Sequence, residues 1–181
     1  MQLPSPAGKP RIDIKIVSDL LWPWCWVGKA RLDRAIKNTH DKYEVHIESL
    51  PFFLRPHFPL EGVPKHWSQE RLQRMNTQIK PLGIKFGAKH ATGPNTGKYH
   101  VALAHVLKHH GSAAQTKANA RIMRAYFQDE VFPNDVNLLA LCQESVPKLD
   151  AEAFSRDLRS EVKLRAVHEH ANKVRNKRSI V

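Results

Sequence analysis

Cysteine is scarce in this chain: there are two in 181 residues, Cys25 and Cys142, separated by most of the sequence. So low a count excludes a disulfide-stapled scaffold, and the wide separation excludes a cysteine-based zinc ligand set. Both are expected as free thiols, because structural disulfides are rare in a reducing compartment. Long apolar runs are missing too. No window approaches the ~20 apolar residues of a membrane-spanning helix, so no membrane partner is expected. Residues 1–10 lack the apolar core of a secretory leader and read as a short flexible arm, which makes the cytoplasm the expected location. Acidic residues are few beside basic ones, 17 Asp and Glu against 29 Lys and Arg, for a formal net charge of +12. The basic residues are spread over several predicted helices without a helix-turn-helix, zinc-finger or single-strand-binding signature. A base-reading protein is therefore excluded, and the expectation is a solvated basic surface with at most non-specific binding of nucleic acid. No phosphate-binding loop is present either, since Gly87 and Lys89 are not adjacent and no strand delivers them. No nucleophile elbow supports a Ser-His-Asp hydrolase.

Against these absences stand an ordinary 41% hydrophobic and 25% charged composition, the signature of a soluble globular chain. The length suits one domain, or one domain with a sizeable insertion. Arg11 to Val17 alternates, with Ile12, Ile14 and Ile16 on one face and Asp13, Lys15 and Val17 on the other, which predicts a strand. Val27, Ala30, Leu32, Ala35 and Ile36 then recur at helical spacing, predicting a helix from Pro23 to Asn38 with Pro23 at its first position. A second strand is predicted from Tyr43 to Leu50, with Val45 and Ile47 on one side, ended by Pro51. A β-α-β unit of this size implies parallel strands joined by a right-handed crossover.

Beyond Leu50 no further strand is predicted. Residues 51–64 hold four prolines and read as an extended loop. Ser68 is expected to cap a helix through Leu72, Met75 and Ile79, broken near Pro81 and Gly83. Residues 83–97 read as a loop, and Asn95 or Thr96 opens the next helix, which Gly111 closes. Ser112 and Gln115 form a capping-box pattern, starting a helix with Ala118, Ile122, Ala125 and Tyr126 on one face. Asp150 reads as a further N-cap, and a basic helix is predicted from Ser160 to Arg175.

The most specific local signal is Ser18 to Lys29, S-D-L-L-W-P-W-C-W-V-G-K. It places Cys25 in the first turn of a helix that begins where a strand ends. Free amides and the positive end of the helix dipole lower a thiol's pKa at such a place. Ser18, Asp19, Pro23, Trp24, Cys25, Gly28, Lys29 and Leu32 match the S-D-x-x-C-P-W-C-Y-x-G-K-x-x-L loop of the FrnE-type group, and the stretch resembles the DsbA-like thioredoxin-fold family. That group is related to 2-hydroxychromene-2-carboxylate isomerase and kappa-class glutathione transferase. Asn95-Thr96, Ala125-Tyr126-Phe127 and Asn134-Asp135 with Leu138, Leu139 and Ala140 resemble further family runs, extending the resemblance over most of the chain.

The resemblance implies an α/β fold, a thioredoxin-like β-α-β unit carrying a large all-helical insertion. Residues 11–62 and 160–181 would form the thioredoxin-like part and residues 63–159 the insertion. The family's C-terminal hairpin and cis-proline are expected to be missing, since the sequence stops at Val181 where they would begin. The resulting sheet would have an open edge and invite self-association. The resemblance also implies thiol-disulfide oxidoreduction on protein or small-thiol substrates. The family's attacking cysteine falls on Trp22, while Cys25 takes the resolving position, so the site is Cys25 as the catalytic thiol in a redox loop of Trp22, Pro23 and Trp24. Activity would then be monothiol or impaired. One alternative is a non-catalytic peptide- or protein-binding derivative, with Trp22, Trp24, Trp26, Phe52, Phe53 and Phe58 as a groove or, for the Phe set, as packing. Another is a glutathione-dependent isomerase or transferase, which Trp22 weakens because it offers no hydroxyl. No resident cofactor is implied; glutathione belongs to that last alternative.

No metal is predicted. His105 and His109 are spaced i, i+4, but the glutamate of H-E-x-x-H is absent and no third ligand is indicated. His110 lies on another side of the helix, and His168 and His170 have less support.

Overall fold

The computed structural model describes residues 8–87 and 92–177. Most of the expected N-terminal arm, loop residues 88–91 and residues 178–181 lie outside the described residues. Strand β1 (Arg11–Ser18), helix α1 (Pro23–Lys37) and strand β2 (Glu44–Pro51) follow one another. β1 and β2 pair in parallel, from Arg11 opposite Glu44 to Ser18 opposite Pro51, as the alternating runs predict. Pro51 is the last residue of β2, where its missing N–H breaks no further ladder bond. Helix α1 starts with Trp22 in an extended conformation and Pro23 in the first helical position, and it ends on Arg34 and Lys37. Those cations oppose the negative end of the helix dipole.

The Pro-rich segment after β2 is not wholly irregular. β3 (Val63–Pro64) pairs antiparallel with β4 (Thr92–Gly93). Two residues are too short for alternation to register, so the pairing has no sequence pattern. What permits it is Gly62, at φ +84°, where an added Cβ would lie 2.6 Å from Thr92 Cγ2 and 2.7 Å from the Gly93 carbonyl oxygen. Only glycine fits both the backbone conformation and the contact.

Helix α2 (Gln69–Ile79) starts as expected, with the Ser68 hydroxyl accepting from Arg71 N–H, and passes into a short 3-10 turn closed by Gly83 at φ +71°. The long element α3 (Gly97–Phe127) is two helices joined at Gly111, whose φ of 81° and ψ of 176° are not helical. The Asn95 carboxamide accepts from Gly97 N–H at 2.8 Å and so opens it. The predicted capping box at Ser112 and Gln115 is corrected here. Gln115 is buried, and its side chain is bonded to β2 rather than back to Ser112. Ser49 N–H donates to Gln115 Oε1 at 2.8 Å, and Gln115 Nε2 donates to the Ser49 carbonyl at 3.0 Å. Thr116 Oγ1 donates to the Ile47 carbonyl at 3.4 Å. Two side chains of α3 thus stand along the outer edge of β2 where a neighbouring strand would.

Helices α4 (Asp135–Ser145), α5 (Ala151–Arg159) and α6 (Glu161–Lys177) complete the fold. Asn134 caps α4 and Asp150 caps α5, the latter accepting from both Glu152 and Ala153 N–H. α3 is central: it packs on β2 and on α4, α5 and α6. Ala118, Ile122, Ala125 and Tyr126, predicted on one face, are all buried in a continuous core with Val106, Phe127, Leu138 and Phe154. Trp26 of α1 joins that core, stacking on Phe127 at 5.7 Å between ring centroids and meeting Phe86 edge-on at 5.6 Å. The architecture is α/β as expected, a small parallel β1-β2 sheet carrying a mostly helical body.

Candidate redox site

β1 delivers the chain to Ser18 and Asp19, and both side chains are buried. Asp19 anchors the turn that follows. Its Oδ2 accepts from Leu54 N–H at 2.7 Å, its Oδ1 lies 3.4 Å from Leu21 N, and His100 Nε2 stands 3.6 Å from Oδ1. His100 Nε2 is also 2.9 Å from the Phe52 carbonyl, an acceptor only, so that nitrogen carries the proton. The end of β1 and the loop after β2 are thereby held together beneath the start of α1.

Cys25 lies in the first turn of α1, half-buried, with its N–H donating to the Trp22 carbonyl at 2.9 Å. Val17, Asp19, Trp22, Cys25, Phe52 and Leu54 border a cavity of about 280 Å³ that reaches solvent. Trp22 is 51% exposed and Trp24 38% exposed. Pro23 is buried and fixes the backbone between them. Of the predicted loop residues, Trp22 stands at the lip of the cavity and Cys25 in its wall, while Pro23 and Trp24 do not line it.

The electrostatics correct one expectation. The Cys25 thiol is raised above its ordinary pKa, not lowered. Burial is the main cause, and the Asp19 carboxylate adds to it, while a hydrogen bond from the Asp19 backbone opposes them. Desolvation of a thiolate beside a buried carboxylate favours the neutral thiol. Cys142 is not a partner for this site. It is a free thiol, fully buried on α4 in the helical core, and burial pushes its pKa up to about 12.

The aromatic set divides. Trp22 and Phe52 line the cavity, whereas Trp26 and Phe53 are core. Trp24 is exposed and Phe58 half-buried. Phe53 stacks on His168 at 3.9 Å and meets His100 edge-on at 4.7 Å. His168 has its pKa lowered, by burial first and then by neighbouring His100 and His57. Arg175 of α6 donates to the Phe53 carbonyl at 3.1 Å and lies over the Phe52 ring at 5.2 Å. Sequence reasoning quoted Asp19 without giving it a role and passed over His100 and Arg175. Their partners lie 35, 48 and 122 positions away, and no local pattern carries such pairings. Of the histidines singled out, His105 is buried while His109 and His170 are exposed, and His105 and His109 lie far in the chain from the redox loop.

A family model described as DSBA-like thioredoxin domain matches residues 13–178. The uncharacterized protein YwbO of Bacillus subtilis (strain 168) is 30% identical over 152 residues, 81% of this chain and 72% of that protein. Among solved structures, a probable DsbA oxidoreductase from Streptomyces coelicolor superposes with a TM-score of 0.72 at 23% identity, covering 91% of this chain and 75% of that one. The cytosolic disulfide reductase DsbM from Pseudomonas aeruginosa, in its structure with GSH, superposes with a TM-score of 0.58 at 20% identity, covering 92% and 80%.

Proposed function

This chain belongs to the DsbA-like thioredoxin family of thiol-disulfide oxidoreductases, and from that membership we propose that it performs thiol-disulfide exchange through one thiol, Cys25. The observation that carries this reading is the seat of Cys25, in the wall of a solvent-reaching cavity at the family's redox loop. The Cys25 thiolate attacks one sulfur of a substrate disulfide. A Cys25–sulfur bond forms as the substrate bond breaks, and the other sulfur leaves as a thiolate. With Trp22 where a second loop thiol would stand, the mixed disulfide is resolved by an external thiol, which takes the bound sulfur and returns Cys25 as thiolate. Protein and small-thiol disulfides are the substrate class. Glutathione is the proposed small thiol, in line with the neighbouring disulfide reductase structure with GSH. A cytoplasmic location is proposed on the same ground. No helix among the described residues is long and apolar enough to cross a membrane.

The test is incubation of the reduced protein with oxidised glutathione, followed by mass spectrometry of the Cys25 peptide. The expected result is a glutathione adduct at Cys25, absent in Cys25→Ser, with low net turnover on dithiol substrates. Trp22→Cys is expected to raise dithiol turnover by rebuilding a C-P-W-C loop. Full turnover in Cys25→Ser overturns the assignment. A specific observation favours one other reading: Cys25 is half-buried and its thiol is raised. If the folded protein forms no adduct there, a non-catalytic peptide-binding role at the Trp22 lip becomes the better account.

A further inference from the structure

Helices α3 and α5 bring together three side chains that the redox loop does not use. His105 and His109 stand about one turn apart on the first half of α3, and Asp157 reaches them from α5. One ligand atom from each lies within 4.8 Å of the other two. We infer that His105, His109 and Asp157 form a binding site for a divalent transition-metal ion of the zinc class, with solvent completing its coordination.

The chemistry of the set selects the ion. Two imidazoles and one carboxylate are the borderline donors that zinc-class ions take, whereas magnesium and calcium take oxygen-only sets and copper(I) takes thiolates. Three protein ligands with one position left to solvent is a regular arrangement for zinc. Bonds of about 2.0–2.2 Å place donor atoms of a tetrahedral site roughly 3.4 Å apart. His105 Nδ1 and Asp157 Oδ2 are 2.9 Å apart, so a small separation of the pair admits the ion. The third donor comes from His109, whose ring centroid lies 4.5 Å from that of His105.

Rigidity and access are divided among the three. His105 is 4% exposed, and Phe154 packs edge-on against its ring at 5.2 Å. His109 is exposed and gives the ion an entry. His105 and Asp157 make a part-buried His-Asp pair, and the i, i+4 spacing on α3 sets a second imidazole beside it. The competing cation is Lys163, whose Nζ is 3.9 Å from Asp157 Oδ2 with a side chain 42% exposed. It is free to swing into solvent when an ion enters. A bound ion would tie α3 to α5 and stabilise the fold by mass action.

The test uses the full chain without an affinity tag, titrated with Co²⁺ as the spectroscopic probe and with Zn²⁺ by calorimetry. The expected result is one-to-one binding with the visible absorption of a tetrahedral Co²⁺ site, and a melting temperature raised by Zn²⁺. His109→Ala, an exposed substitution, is expected to weaken binding by more than about 100-fold, beyond what loss of an outer partner does. Asp157→Asn is expected to do the same as an independent check. His170→Ala and Cys25→Ser are expected to leave binding unchanged, which separates this site from other histidines and from the redox thiol. The inference is overturned if no saturable one-to-one binding occurs up to millimolar metal. Binding that is unaltered in both His109→Ala and Asp157→Asn overturns it equally.

Discussion

At the scale of single residues, the site turns on a competition at Cys25. A helix start favours thiolate, yet the Cys25 N–H is already committed to the Trp22 carbonyl at 2.9 Å, and burial beside Asp19 favours the neutral thiol. Reactivity should therefore be low at neutral pH. Alkylation of Cys25 by iodoacetamide is expected to be slower than that of a free peptide thiol at pH 7 and to reach half its maximal rate above ~8.5, where an ordinary thiol is half ionised. A plateau below pH 8 would contradict this. Asp19→Asn is expected to accelerate alkylation, since it removes a charge that opposes the thiolate. Cys142 has the opposite kind of consequence, for stability rather than reaction. Its thiol is held protonated in the fold up to about pH 12, while in the unfolded chain it ionises near ~8.5. The folded state thus binds the extra proton between those values. Its contribution is complete below the unfolded pKa and declines as pH rises, by at most about 1.4 kcal/mol per unit. Denaturant unfolding at pH 8 to 10.5 should show a decline that is shallower in Cys142→Ala.

At the scale of elements, β2 is completed by a helix. Gln115 supplies both partners to Ser49 and also donates to the Leu103 carbonyl at 3.3 Å. Gln115→Ala would leave buried backbone groups without partners, each costing about 1–3 kcal/mol. A loss of about 3 kcal/mol in urea unfolding is expected, and a loss below 1 kcal/mol would show that water or a shifted helix replaces the amide. The same contact marks the limit of what the chain discloses by itself. The β-α-β unit, the Ser68 and Asp150 caps and the buried face of the second half of α3 were legible, because alternation, helical spacing and capping act over a few neighbours. The resemblance of Ser18 to Lys29 singled out Cys25, which the fold seats in the wall of a cavity beside Trp22. Gln115 reads locally as a capping residue because its real partner is 66 positions away. The raised Cys25 thiol was illegible for a related reason: it depends on what the fold buries around it, including Leu54 and Phe52 from a different element. The two-residue pairing of β3 with β4 was simply too short to leave a pattern.

For the whole molecule, the two edges of the small sheet are unequal. That of β2 is covered by Gln115 and Thr116, whereas among the described residues no strand pairs with the other edge of β1. Ile12 on that strand is 38% exposed. An uncovered edge of this kind pairs readily with another chain. We expect self-association through β1, seen as a concentration-dependent rise in sedimentation coefficient, and expect Ile12→Lys to shift the protein toward monomer. A wild-type monomer at all concentrations would remove this expectation. The Gln115 clamp carries a separate consequence, for kinetics. Since it joins Ser49 to a helix 66 residues further on, the outer-edge hydrogen bonds of β2 require the docking of α3. The Ser49 amide is therefore expected to exchange its hydrogen with solvent only when α3 comes away from β2.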